Sequence, residues 1–141
     1  IPEGARALAT LQWSGGAYGA LQSPSGNITC DAFGMSTVFD SHAVCAVGGW
    51  PEEWSPGYET SGGYPVAHLG SDGPATLSGK GDPMMSKNSG SFVGDVAPYG
   101  TVWYFGDFVF ASEESGVTFW NVSSGYGALV NRSGFYPFGP N

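Results

Sequence analysis

The sequence is short of positive charge, of cysteine and of long apolar runs. Four cations, Arg6, Lys80, Lys87 and Arg132, stand against 12 acidic residues in a chain of 141, for a formal net charge of −8. So few cations cannot neutralise a row of phosphates, which excludes a nucleic-acid groove and makes an anionic membrane surface a poor partner. No apolar run reaches the ~20 residues of a spanning helix, so no transmembrane segment is expected in this chain. Helix signals are scarce too. The best stretch, residues 4–12, has good helix formers but no clear N-cap. A short N-terminal helix competes there with an irregular or strand-like arm. Nothing matches a zinc spacing, a calcium loop or a phosphate loop that opens a helix, so neither a metal nor a cofactor is expected.

The two cysteines, Cys30 and Cys45, are the whole thiol complement. A disulfide closing a loop of that length contributes ~3 kcal/mol in the chain-entropy treatment; the alternative is two unrelated buried thiols. Scarce Lys, one candidate disulfide and a start at Ile1-Pro2-Glu3-Gly4 together lead us to expect an exported protein, secreted or in the cell envelope. Three triplets, Asn27-Ile28-Thr29, Asn121-Val122-Ser123 and Asn131-Arg132-Ser133, match the glycosylation sequon, a pattern too short to carry weight in so Ser-rich a chain.

What the chain does have is backbone punctuation and rings. It holds 24 Gly and 10 Pro, yet also 5 Trp, 7 Tyr and 9 Phe. Disordered chains do not carry that much aromatic surface, so we expect one folded domain over 1–141, with an arm over 1–22 and a β core over 23–141. Short apolar or alternating runs at 27–33, 42–47, 101–105, 108–111, 117–122 and 128–131 are separated by Gly, Ser, Asn and Asp clusters, with weaker runs near 64–69 and 74–78. Gly106-Asp107 suits a two-residue hairpin turn. Successive hairpins of this length make a meander. The fold class is therefore all-β, an antiparallel sandwich or small barrel with long Gly/Pro/Trp-rich loops, in which Cys30 and Cys45 staple two neighbouring strands.

Four segments in order carry a resemblance. They are Ser23-Pro24-Ser25-Gly26-Asn27-Ile28-Thr29-Cys30, Gly73-Pro74-Ala75 with Gly81-Asp82, Pro98-Tyr99-Gly100-Thr101, and Ser112-Glu113-Glu114-Ser115-Gly116-Val117-Thr118 followed by Trp120-Asn121. Together they resemble a family of small exported actinobacterial domains, rich in disulfides and of unknown function, over about residues 23–138. The family has more cysteines, and the matching positions here are Gly79, Phe110 and Phe119. The resemblance thus implies that a Phe110/Phe119 contact stands where the family has a disulfide. Lost staples imply stability from a better core or from partner subunits.

Catalytic signals are weak. No G-x-S-x-G elbow is present. Asp40-Ser41-His42 places an acid and a base on one strand face, the only arrangement around which a hydrolase reading can be built. Glu52-Glu53 and Glu113-Glu114 are sequence neighbours in loops, where the paired side chains diverge. Trp50, Trp54, Tyr58 and Tyr64 sit in the irregular middle among Pro and Gly. They form either a plug at the end of a sandwich or an exposed binding platform. We therefore expect a non-enzymatic exported or envelope domain acting through protein–protein interaction, by self-assembly or as a subunit of an envelope complex. A carbohydrate- or small-ligand-binding module built on the loop aromatics, and a hydrolase built on Asp40 and His42, are the alternatives.

Overall fold

The computed structural model describes residues 1–37, 39–55 and 63–140. The N-terminal arm supplies two short strands, β1 (Arg6–Ala7) and β2 (Leu11–Trp13), one to each of two sheets. From there a meander runs in chain order through β3 (Gly16–Gln22), β4 (Ile28–Phe33), β5 (His42–Val47), β6 (Tyr64–Gly70) and β7 (Thr76–Lys80). With β2 on one flank, and with β8 (Asp95–Val96) pairing parallel to β3, these strands form a seven-stranded sheet. A second meander, β9 (Thr101–Phe105), β10 (Phe108–Glu113), β11 (Gly116–Asn121), β12 (Gly127–Asn131) and β13 (Gly134–Phe138), forms the other sheet with β1 parallel to β9. The two sheets pack as a sandwich rather than closing into a barrel, which settles that alternative.

The candidate helix over 4–12 is not formed. Arg6 pairs with Trp103 and Leu11 with Tyr18, so the segment serves both sheets as edge strands. Nine residues without a cap are too few for a helix to hold against two sheet edges offering hydrogen bonds. Among the described residues the helical content is two single 3-10 turns, Glu52–Trp54 and Met85–Lys87.

The six-stranded sheet points Trp103, Phe108, Phe110 and Phe119 inward, and the seven-stranded sheet answers with the aliphatic Leu21, Ile28, Val47 and Leu69 and the small Ala32, Ala43, Ala67, Cys30 and Cys45. Rings from one layer thus pack on aliphatic and small side chains from the other. Cys30 and Cys45 lie directly opposite each other on β4 and β5, disulfide-bonded and buried, with Cα atoms 4.1 Å apart. On the outer face of the same sheet lies a second cluster. Tyr18, Phe33, Val44 and Val66 pack there with Met84, Met85 and Phe92 of the segment joining the two meanders. Every residue of β4 is consequently buried, Asp31 included.

Candidate functional site

The motifs that carry the resemblance form turns and the strand ends beside them, and three of the four meet at one end of the sandwich. In the β3–β4 connection, Ser23 Oγ accepts the Ile28 N–H at 3.1 Å and Gly26 takes φ +79°. Pro98–Thr101 forms the turn into β9: Gly100 N–H donates to Ser112 O at 2.7 Å, and Thr101 Oγ1 accepts the Trp103 indole N–H at 2.9 Å. Ser25, Tyr99, Glu114, Asn131 and Arg132 line a cleft of about 390 Å³ at this end. Asn131 there is occupied with the fold itself: its Nδ2 donates to Ser115 O and its Oδ1 accepts the Ser133 and Gly134 amides.

The loop aromatics divide. Trp50 is buried; its indole N–H donates to Asn131 O at 2.7 Å, and its ring lies 5.7 Å from that of Trp54. Trp54 is half-buried and packs on the main core. Tyr64 shares with Trp50 a hollow of about 530 Å³ that also includes Thr29 and Met84. The Tyr64 hydroxyl donates to Asp82 O at 2.7 Å, and burial, with Asp31 and Asp82 nearby, pushes its pKa up to about 12. The polar handles of Trp50 and Tyr64 are thus spent inside the protein. Tyr58 lies outside the described residues.

Asp40 and His42 are joined through the main chain: His42 Nδ1 donates to the Asp40 carbonyl oxygen at 2.8 Å. Across the outer face of the seven-stranded sheet runs a ring ladder. Tyr18 stacks on Phe33 at 5.6 Å, Phe33 on His42 at 4.8 Å, and His42 on His68 at 5.3 Å. Burial lowers the pKa of both histidines, and for His68 the neighbouring His42 adds to the effect. Among the described residues no group of three or more His, Cys, Asp or Glu side chains is placed to hold a metal ion.

The sequence reading did not single out the outer face of the six-stranded sheet. Pairing registers place ten of its outward side chains in two rows across five strands, with Glu113 of β10 in the next, shorter row beyond them. One row is Tyr104, Val109, Trp120, Gly127 and Phe138; the next is Val102, Ala111, Thr118, Leu129 and Tyr136. Neither row carries a charge, and their side chains belong to neither packed cluster. Tyr136 is 47% exposed and Phe138 42%, whereas Val109 is fully buried between its row neighbours Tyr104 and Trp120. A Cβ on Gly127 would lie 2.7 Å from Phe138 Cζ and 2.6 Å from Trp120 Cβ, so the Phe138 ring is laid across the glycine. The first row is therefore a nearly continuous aromatic strip. One signal could have found it: in 101–105 and 117–122 both alternating phases carry large apolar residues (Trp103 and Phe105 against Val102 and Tyr104; Val117 and Phe119 against Trp120 and Val122), as expected of a strand with two apolar faces.

Comparison with family models, with curated proteins and with solved structures finds no match. Among the described residues no helix is long and apolar enough to cross a membrane.

Proposed function

We propose that this chain is an exported, non-enzymatic β domain of the cell envelope that works by binding, with the outer face of the six-stranded sheet as its contact surface. One observation carries the reading. In a protein of net charge −8, ten outward positions on one sheet carry no charge and include four aromatic residues. Uncovered apolar patches of this kind mark interaction sites on soluble domains. The corresponding face of the other sheet lies under Met84, Met85 and Phe92, so covering a face is within this chain's means and the bare one is kept for a partner.

An extracytoplasmic setting is supported by the buried Cys30–Cys45 disulfide and by the resemblance to small exported actinobacterial domains. Binding rather than catalysis is supported by His42, whose Nδ1 is held by a main-chain carbonyl instead of a carboxylate. A protein partner, which the lost staples and the absence of a catalytic constellation suggest, is the second reading of this face.

Retention on isolated cell-wall material of the producing organism, followed by co-sedimentation, tests the reading. Leu129→Glu puts a carboxylate in the middle of the face and should abolish retention, while Thr76→Glu on the exposed edge of the other sheet should leave it intact. Equal retention of both variants would sink the proposal.

A further inference from the structure

We infer that the aromatic strip of the six-stranded sheet is a stacking platform for an extended, uncharged β-1,4-linked glycan. This deepens the binding reading above and rests on it.

Spacing is the first argument. Tyr104, Trp120 and Phe138 lie in one cross-strand row on β9, β11 and β13, every second strand, with Val109 and Gly127 between them. Neighbouring strands lie about 4.8 Å apart, so the backbone positions that carry the rings recur at roughly 9–10 Å, while the Phe138 ring itself reaches back over Gly127 towards Trp120. Two sugars of an extended β-1,4-linked chain advance by nearly the same distance and return the same face to the protein. The strip therefore runs along the line on which such a chain extends, and the axial C–H groups of its sugars pack on aromatic faces.

Flatness is the second. The intervening positions are fully buried Val109 and side-chain-free Gly127, over which Phe138 lies, so nothing stands proud between the rings. A ribbon-like polymer needs such a surface.

Size and charge decide among occupants. Two rows over five strands cover roughly 24 Å by 14 Å, on the order of 300 Å², against about 800 Å² per partner in a standard protein interface. That is small for a second copy of the chain and ample for three or four sugars. Single-stranded nucleic acid also stacks on rings, but needs a cationic groove that a chain with four cations does not provide. An extended peptide gains its main-chain hydrogen bonds at a sheet edge, not on a face. The net charge of −8 turns away acidic polysaccharides and leaves neutral ones.

Calorimetric titration of the intact protein with cellohexaose, chitohexaose and mannohexaose tests the inference. At least one should bind. Trp120→Ala should weaken that binding about tenfold or more, the loss expected for one stacked ring. Phe138→Ala, near the end of an edge strand where folding is little disturbed, should weaken it in the same direction. Near-ultraviolet circular dichroism verifies that each variant is folded. If none of the three sugars binds, the inference is overturned. If Leu129→Glu still abolishes retention on wall material, the face remains a binding surface, with a protein as its occupant. Unchanged glycan binding by the folded ring variants overturns the inference equally.

Discussion

Phe110 and Phe119 face each other in register across β10 and β11, with ring centroids 6.1 Å apart and planes inclined by 2°. Both are buried, at 1% and 0% exposure, in the main core. They are two of the three positions that the proposed resemblance aligns with cysteines, Gly79 being the third. The contact that the resemblance implied is present, and directly opposed residues of neighbouring strands are also where a cross-strand bond can close.

From this pair follows the first prediction. Phe119→Ala removes a fully buried ring and should cost about 3–5 kcal/mol, read from the denaturant midpoint. The double variant Phe110→Cys/Phe119→Cys should oxidise to a disulfide. Its oxidised form should be more stable than its reduced form by about 2–4 kcal/mol, yet less stable than the parent, because two rings of core volume are gone. Free thiols persisting in the oxidised double variant would show that the register is wrong.

Reduction of Cys30–Cys45 releases a cross-strand tie within one sheet. The bond closes a 15-residue separation, for which chain entropy predicts a loss of about 3 kcal/mol. Both sulfurs are buried, at 1% and 0% exposure, so reductant should act only on opened molecules. The reduction rate should therefore rise with denaturant. A rate independent of denaturant would mean that the bond is reached in the native state.

Strand assignment from the sequence succeeded where periodicity and turn chemistry agree. Alternation and apolar runs place His42–Val47 and Thr101–Phe105 to the residue, and Gly106-Asp107 is the turn between β9 and β10. Failures have local causes. β3 is Gly16-Ala-Tyr-Gly-Ala-Leu-Gln22, poor in β-formers, and becomes a strand because neighbours on both flanks pair with it and Tyr18 and Leu21 are buried. β13 contains Pro137, which demotes a run in any scan; it survives at the sheet edge, where no outer strand requires its missing N–H. The aromatic strip was hidden for a different reason. Alternation says that a strand has two faces, but not which sheet will cover which face, and both phases of β9 and β11 carry large apolar residues. Tyr104, Trp120 and Phe138 become one row only through pairings of strands that are not neighbours in sequence.

Asp31 couples stability to pH. It is buried beneath the Met84–Lys87 segment and accepts the Ser86 N–H at 3.4 Å; burial raises its pKa, against hydrogen bonds from Ser86 and Met85 and the charge of Lys80. With the folded value above the usual 3.8, the native state holds the proton more tightly than the unfolded chain. Its contribution is therefore complete below 3.8 and is lost as pH rises through the elevated folded value. His42 and His68, lowered by burial, act in the opposite sense: their contribution is complete above 6.5 and is lost as pH falls through their folded values. Asp31→Asn keeps an acceptor for Ser86 and leaves the histidines in place, so subtracting its stability from that of the parent isolates Asp31. The variant's advantage should grow as pH rises from 4 towards neutrality. A constant difference over that range would show that Asp31 titrates normally.

Trp50 ties the two layers together at a single atom. Its indole N–H reaches 2.7 Å from the carbonyl oxygen of Asn131, 81 residues away at the end of β12, while the Asn131 side chain holds Ser115 O and the Ser133 and Gly134 amides. Trp50→Phe keeps most of the ring but leaves a partly buried carbonyl without that donor, which should cost about 1–3 kcal/mol. Asn131→Asp keeps the acceptor for the two amides but turns a carboxylate oxygen towards the Ser115 carbonyl, and should cost a similar amount. The two substitutions share one residue's hydrogen bonds, so their combination should depart from additivity by 0.5 kcal/mol or more in a double-mutant cycle. Strict additivity would mean that the Trp50 bond and the Asn131 turn are independent, and that the sheets are held at this end by ring packing alone.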